Sequence, residues 1–218
     1  MKVSPSVENY LKNIYELQER DGLARTKKLA ERMQVSLGTI TNTVELLEKN
    51  QLIKHTRYKG VTLTEKGKQI ALDVIRRHRL TERLLTDILR MDWSKVHELA
   101  CKLEHDVTED VIKPLGKILG HPKTCPHGNP IPTKCGGIIE EETKPLIDLK
   151  PQETGIIVKI VEEKSELLRY LDSLGIEPGT SIKIEKRIKS KKTEFLQLKN
   201  IDTPLSLNIA SSIWVRKR

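Results

Sequence analysis

The chain has 218 residues, enough for one large domain or two to three small ones, and its 37% hydrophobic but only 3% aromatic content means that aliphatic side chains must fill the core. A formal net charge of +9 favours an anionic partner, nucleic acid or membrane surface. Apolar runs fall short of the ~20 residues that span a bilayer, and three cysteines with no signal peptide read as reduced thiols, so the expectation is a soluble cytoplasmic protein.

In chain order, "PSVENYLKNIYELQER" (5–20) places Val7, Leu11, Ile14 and Tyr15 at helical spacing, after a Ser4-Pro5 start signal. "RTKKLAERM" (25–33) reads as a short helix with Leu29, Ala30 and Met33 inward. "SLGTITNTVELLEKN" (36–50) opens on a Ser able to cap and buries Ile40, Val44 and Leu47. "QLIKHTRYKGVTLT" (51–64) gives two short strands around a basic tip. Helix, short helix, turn, helix and hairpin in that order make a winged helix-turn-helix, over residues 1–64.

In such a motif the second helix enters the major groove by its N-terminal residues, here Ser36, Gly38, Thr39, Thr41 and Asn42. They are small or polar, and Asn can pair bidentately with adenine. Thr26 and Lys27 ahead of the motif, with Arg57 and Lys59 in the hairpin, suit phosphate contacts that hold register. The blander alternative is an ordinary polar helix face; the basic hairpin favours duplex DNA.

From Glu65 the pattern is one long helix to Arg90, a break near "MDWSK", a helix to about Val107 and another from Glu109 to Leu119. The helical domain runs over 65–137 and a linker over 138–148. On the 95–107 helix, at about 100° per residue, Val96, Leu99, Ala100, Leu103 and Val107 form a core stripe. His97, Cys101, Glu104 and His105 form a second stripe, while Glu98, Lys102 and Asp106 point elsewhere. The preceding helix offers His78 and Glu82 four residues apart. Imidazole, carboxylate and thiolate together suit a borderline divalent metal. "HELAC" begins like the zincin motif but has Cys101 where the second histidine belongs, which makes an enzyme a weak reading. "GHPKTCPHGNPIPTKCGG" (120–137) is too rich in Pro and Gly for a regular element. Its Cys125, His127 and Cys135 make a third, zinc-type site conceivable, but they offer three ligands where structural zinc takes four, and free loop thiols are the favoured reading. From 149 to 218, "GIIVKIV", "SIKIEKRI", "EFLQLKN" and "SIWVRK" read as strands of a small β-barrel, with "SELLRYLDSLG" as a helix inside it.

The block "RRHRLTERLLTDILRMDWSKVHELACKLEHDVTEDV" (76–111), with "ENYLKNIYEL" near the start and "GNPIP" at 128–132, resembles the diphtheria toxin repressor family of metal-dependent regulators. The resemblance implies a mainly α fold with small β: a winged helix-turn-helix, a helical metal-binding and dimerisation domain, and a C-terminal SH3-like (FeoA-like) barrel. It implies two metal sites. One would take His78, Glu82 and His97, with Glu163 and Glu166 as the closest match to a carboxylate and an amide three residues apart. The other would take Cys101, Glu104 and His105, and Asn9 where iron-responsive members carry methionine. Manganese-responsive relatives put a carboxylate where Cys101 stands, so the expected activator is Fe²⁺, with Mn²⁺, Co²⁺, Ni²⁺ or Zn²⁺ as possible substitutes. The implied protein is a homodimeric repressor on a palindromic double-stranded operator, with no membrane and no small organic ligand. A Mn²⁺- or Zn²⁺-responsive regulator is the alternative, and a metal-binding enzyme or scavenger a remoter one.

Overall fold

The computed structural model describes residues 3–56, 58–139, 141–190 and 193–218. The chain divides into two compact units. The first holds residues 1–77, 104–106 and 132–137; the second holds 78–103, 107–131 and 138–218.

The first unit begins with α1 (Pro5–Asp21), whose Ser4 hydroxyl accepts from the Val7 amide and whose end is set by Gly22 at φ 78°. It buries Tyr10, Leu11, Ile14, Tyr15 and Leu17. Helix α2 (Thr26–Met33) ends on Gln34 in the left-handed region, φ 54°, which makes the turn into α3 (Leu37–Lys49). There Ser36 accepts from the Thr39 amide at 3.1 Å, and Ile40, Val44 and Leu47 are buried, as their spacing predicts. Strands β1 (Ile53–Thr56) and β2 (Gly60–Leu63) pair antiparallel, Ile53 opposite Leu63. Val61 also bridges Ala24. A Cβ at Gly60 would stand 2.5 Å from the Ala24 carbonyl oxygen, so only glycine lets the wing close onto the chain before α2. This is the winged helix-turn-helix. Helix α4 (Glu65–Arg83) starts in this unit.

The second unit takes α4 from His78 onward. The expected helix to Arg90 changes form at Leu84–Ile88, a π-helical turn, where the Thr86 hydroxyl donates to the Glu82 carbonyl at 2.6 Å. Helix α5 (Val96–Leu103) stops four residues short of the expected Val107. Thr108 is already extended (ψ 167°) as the residue that starts α6 (Glu109–Ile118), so the chain must leave helix geometry before it. Glu104 and His105 thus lie in a turn, and Leu103, expected in the core stripe, is 37% exposed.

The rest is one antiparallel sheet in the order β3-β8-β4-β5-β6-β7. Its strands are β3 (Lys144–Pro145), β4 (Thr154–Ile160), β5 (Ser181–Ser190), β6 (Thr193–Leu198), β7 (Leu205–Ser206) and β8 (Ile213–Lys217). Register shifts at Ile157/Lys159 and Ile184/Lys186 bend it. Helices α7 (Ser165–Ser173) and α8 (Leu207–Ser212) add Leu168, Leu171 and Ala210 to a core with Ile157, Ile160, Ile184, Leu196 and Val215. The core residues are aliphatic, as the composition requires, and each fully buried Leu or Ile contributes roughly 1.5–3 kcal/mol. This is the expected SH3-like domain, with β4 as the strand that receives the "CPHGN" loop.

Candidate metal centres and DNA-reading face

In the first unit, α1 and the turn after α5 bring four candidate side chains together. His105 Nε2 lies 3.1 Å from Asn9 Oδ1 and 3.5 Å from Glu104 Oε1. Its other nitrogen, Nδ1, is 2.6 Å from Glu8 Oε2. Glu8 in turn accepts from Arg77 Nη2 at 2.7 Å. A carboxylate on Nδ1 fixes the ring and leaves Nε2 directed at Asn9 and Glu104, the usual way of orienting a ligating histidine. The sequence reading did not single out Glu8; only its adjacency to Asn9 could have pointed to it. Glu104 is fully buried, and its second oxygen is 2.8 Å from Lys12 Nζ.

The second unit holds a larger cluster. Glu82, fully buried on α4, is its hub. Its Oε1 stands 2.9 Å from His78 Nε2, 3.2 Å from His97 Nδ1 and 3.2 Å from His127 Nδ1. Glu163, from the segment between β4 and α7, reaches His97 Nδ1 at 3.1 Å and His127 Nδ1 at 3.5 Å. The Cys125 thiol is 3.9 Å from both His127 and Glu163. Cys101, which the resemblance grouped with Glu104 and His105, falls in this unit; its Sγ is 3.6 Å from His97 Nε2 and 3.9 Å from His78 Nδ1.

The favoured reading of free loop thiols is corrected for Cys125, which is buried together with His127. Glu82, Cys125, His127 and Glu163 each offer a donor atom within 4.8 Å of the others, as do His78, Glu82, His97 and Glu163. Cys135 is exposed. Glu166 is exposed in the first turn of α7 and joins none of these groups. The loop is held by backbone. Gly128 sits at φ +83° with its α-carbon pressed on β4, where a Cβ would lie 1.9 Å from the Val158 carbonyl oxygen. The Ile160 amide donates to the His127 carbonyl at 2.9 Å. Asn129 donates to the Ile160 carbonyl at 2.8 Å and to Glu163 at 2.6 Å, which aims the carboxylate. His127 Nε2 donates to the Trp93 carbonyl at 2.9 Å and so turns Nδ1 inward.

Protons hold this cluster. Burial opposes charge on His97, yet hydrogen bonds to Cys101, Glu163 and Glu82 push its pKa up to about 12. His127 is raised likewise against burial, by Cys125, Glu163 and Glu82. Glu82 and Glu163 stay well below the usual carboxylate range although burial opposes it, because imidazolium groups surround them. Burial pushes the Cys125 thiol up to about 11. The residues fit a divalent metal. Glu82 Oε2 is buried with no hydrogen-bond partner among the described residues, and the surrounding donors are imidazole, carboxylate and thiol.

On α3, Ser36, Gly38, Thr39, Thr41 and Asn42 are all exposed. The Thr41 hydroxyl is turned to the Leu37 carbonyl at 3.0 Å, which leaves Asn42 as the longer donor on that face. An open cleft between α2 and the wing is lined by Arg25, Thr26, Lys27, His55, Tyr58 and Lys59. His55 was not anticipated. Arg57 lies outside the described residues.

Three sequence families match in order. They are the N-terminal DNA-binding domain of iron-dependent repressors (residues 2–61), their metal-binding and dimerisation domain (64–133) and the FeoA domain (144–217). The iron-dependent repressor IdeR of Mycobacterium tuberculosis is 34% identical over 196 residues, 83% of this chain and 84% of that one. A solved manganese-dependent transcriptional repressor in complex with manganese superposes with a TM-score of 0.85 at 31% identity, covering 97% of this chain and 100% of that one. The T. acidophilum IdeR crystal structure gives 0.81 at 29% identity over 100% of both chains. The chain therefore belongs to the iron-dependent repressor family, that of the diphtheria toxin repressor, and is a metal-dependent transcriptional repressor rather than an enzyme.

Proposed function

We propose that the protein is a cytoplasmic, homodimeric repressor activated by Fe²⁺, acting on a palindromic operator. The donor chemistry carries the metal assignment. Thiols of Cys101 and Cys125 stand among imidazoles, a set that suits Fe²⁺ better than Mn²⁺, which prefers carboxylate, carbonyl and water. One observation favours a manganese-responsive reading: Asn9, Glu104 and His105 offer only oxygen and nitrogen, and a structurally similar repressor is manganese-dependent. In this reading Asn9, Glu104 and His105 form one ligand set. Glu82, Cys125, His127 and Glu163 form the other, with His78, His97 and Cys101 beside it. A bound divalent ion would supply the charge that these carboxylates now find in protons and in Lys12.

Asn9 belongs to α1, which packs on α2 and β2, the frame that seats α3. Fixing Asn9 against Glu104 and His105 therefore fixes the DNA-reading frame, and any ligand that favours this state shifts the population towards it. Ser36, Gly38, Thr39, Thr41 and Asn42 meet base edges; Thr26, Lys27, Lys59 and Arg57 meet phosphates. Exposed Ile88, Leu89, Val111 and Ile118 lie within the segment that matches the dimerisation family and supply the apolar surface for self-association. A two-fold dimer would present its α3 helices to half-sites about 34 Å apart.

The test is operator binding, measured anaerobically at buffered free Fe²⁺, Mn²⁺ and Zn²⁺. Fe²⁺ is expected to act at the lowest concentration within its cellular range, and Cys101→Ala to abolish the response. Activation by Mn²⁺ alone, unaffected in Cys101→Ala, would replace the iron assignment with manganese. Asn42→Ala should cost about 1–3 kcal/mol of discrimination with metal binding intact.

A further inference from the structure

One buried cation belongs to neither the metal ligands nor the DNA face. Lys12 is 8% exposed and pairs with a carboxylate that is fully buried. Lysine is rarely buried this far without a purpose for its charge. It sits on α1 three residues beyond Asn9 and four beyond Glu8, so all three side chains share one face of the helix. Glu104 is divided between two neighbours. One oxygen is turned to the His105 and Asn9 side, and the other is 2.8 Å from the Lys12 ammonium.

The geometry points to Lys12 as a built-in cation that competes with the divalent ion for Glu104 and so sets the metal concentration at which the repressor responds. The inference rests on the assignment of Asn9, Glu104 and His105 as ligands. Two effects follow from the contact. While the ammonium holds one oxygen, Glu104 can offer the ion only the other. The ammonium charge also repels a divalent cation a few ångströms away, in a place where water screens little. Arg77 does for Glu8 what Lys12 does for Glu104, so both carboxylates are balanced by charges on the chain itself. The residue type suits displacement. Lysine is a compact ammonium on a flexible stem that can swing to water, whereas arginine holds a carboxylate by a planar fork.

The experiment is Mn²⁺ binding to the full-length protein in competition with a fluorescent chelator, together with the melting temperature at zero and saturating Mn²⁺. Wild type, Lys12→Met and Lys12→Arg are compared. One of two binding events is expected to tighten roughly 10- to 100-fold in Lys12→Met, with the other unchanged. Lys12→Arg should bind no tighter than wild type. Lys12→Met removes the ammonium from a fully buried carboxylate, so the metal-free variant should melt lower and gain more from saturating Mn²⁺ than wild type does. If Lys12→Met binds Mn²⁺ no more tightly and its thermal gain is no larger, Lys12 is a structural ion pair and the inference is overturned. If wild type shows only one binding event, and Glu82→Gln removes it, the ligand assignment of Asn9, Glu104 and His105 fails first and takes the inference with it.

Discussion

The two candidate metal clusters solve one problem by different means. Each gathers buried carboxylates that need positive charge. Around Glu8 and Glu104 the charge comes from Arg77 and Lys12, on long side chains. Around Glu82 and Glu163 it comes from protons on His97 and His127. The second cluster should therefore respond to pH through its raised histidines. The first can be retuned by changing a lysine; the charge of the second is set by the solution.

The largest effect tests whether Glu82 is the hub. Glu82→Ala removes the acceptor that His78, His97 and His127 share and leaves Glu163 facing them. Breaking a buried charge network by removing one partner costs about 3–5 kcal/mol. Chemical denaturation of the metal-free variant should show a loss of that size, together with the disappearance of one metal-binding event. A loss under 1 kcal/mol would mean that the histidines are held by packing, and the contrast between the clusters would dissolve.

What could be read from sequence follows the range of the forces involved. Helices α1 and α3 were legible because their apolar spacing and their Ser4 and Ser36 caps are local. The separation of His97 and Cys101 from exposed Glu98 and Lys102 was also legible, since it needs only helix geometry. The end of α5 was not. Nothing within Glu104–Asp106 opposes a helix; the break is imposed by the start of α6 at Thr108. Cys125 and His127 were misjudged for a related reason. Their partners are Glu82 and Glu163, far away in sequence, and the loop is positioned by Gly128 and Asn129 against β4. Counting ligands within the loop gave three and stopped there.

The pH dependence comes next in size. His97 has a folded pKa raised from 6.5 to about 12. Its contribution to stability is full below the unfolded value and is lost as pH rises towards the folded one. The metal-free protein should therefore lose stability on going from pH 7 to 9, by at most about 1.4 kcal/mol per pH unit for each such histidine. Glu82 and Glu163, held low, work in the opposite sense: their contribution is present above the ordinary glutamate range and lost on acidification. Metal binding to this cluster releases protons, so its affinity should rise over the same alkaline interval. Titrations at pH 6.5, 7.5 and 8.5 would check both. No rise in its affinity over that interval would refute the assignment of protons to this cluster.

The smallest effect concerns Glu8, which orients His105 without standing on the Asn9 side of the ring. Glu8→Gln keeps the shape and an acceptor for Nδ1 but removes the charge and weakens the hold of Arg77. Outer carboxylates on ligating histidines typically change metal affinity 10–100-fold, and with an acceptor retained the lower end, about tenfold, is expected. The same competition assay would show it as a weakening of the event that Lys12→Met tightens. A loss near a thousandfold would make Glu8 a ligand in its own right and return His105 to a bridging position. No loss would mean that packing alone sets the ring. Between those limits, Glu8 and Lys12 act on one site in opposite directions, and the double variant should bind within a few-fold of wild type if the two act independently.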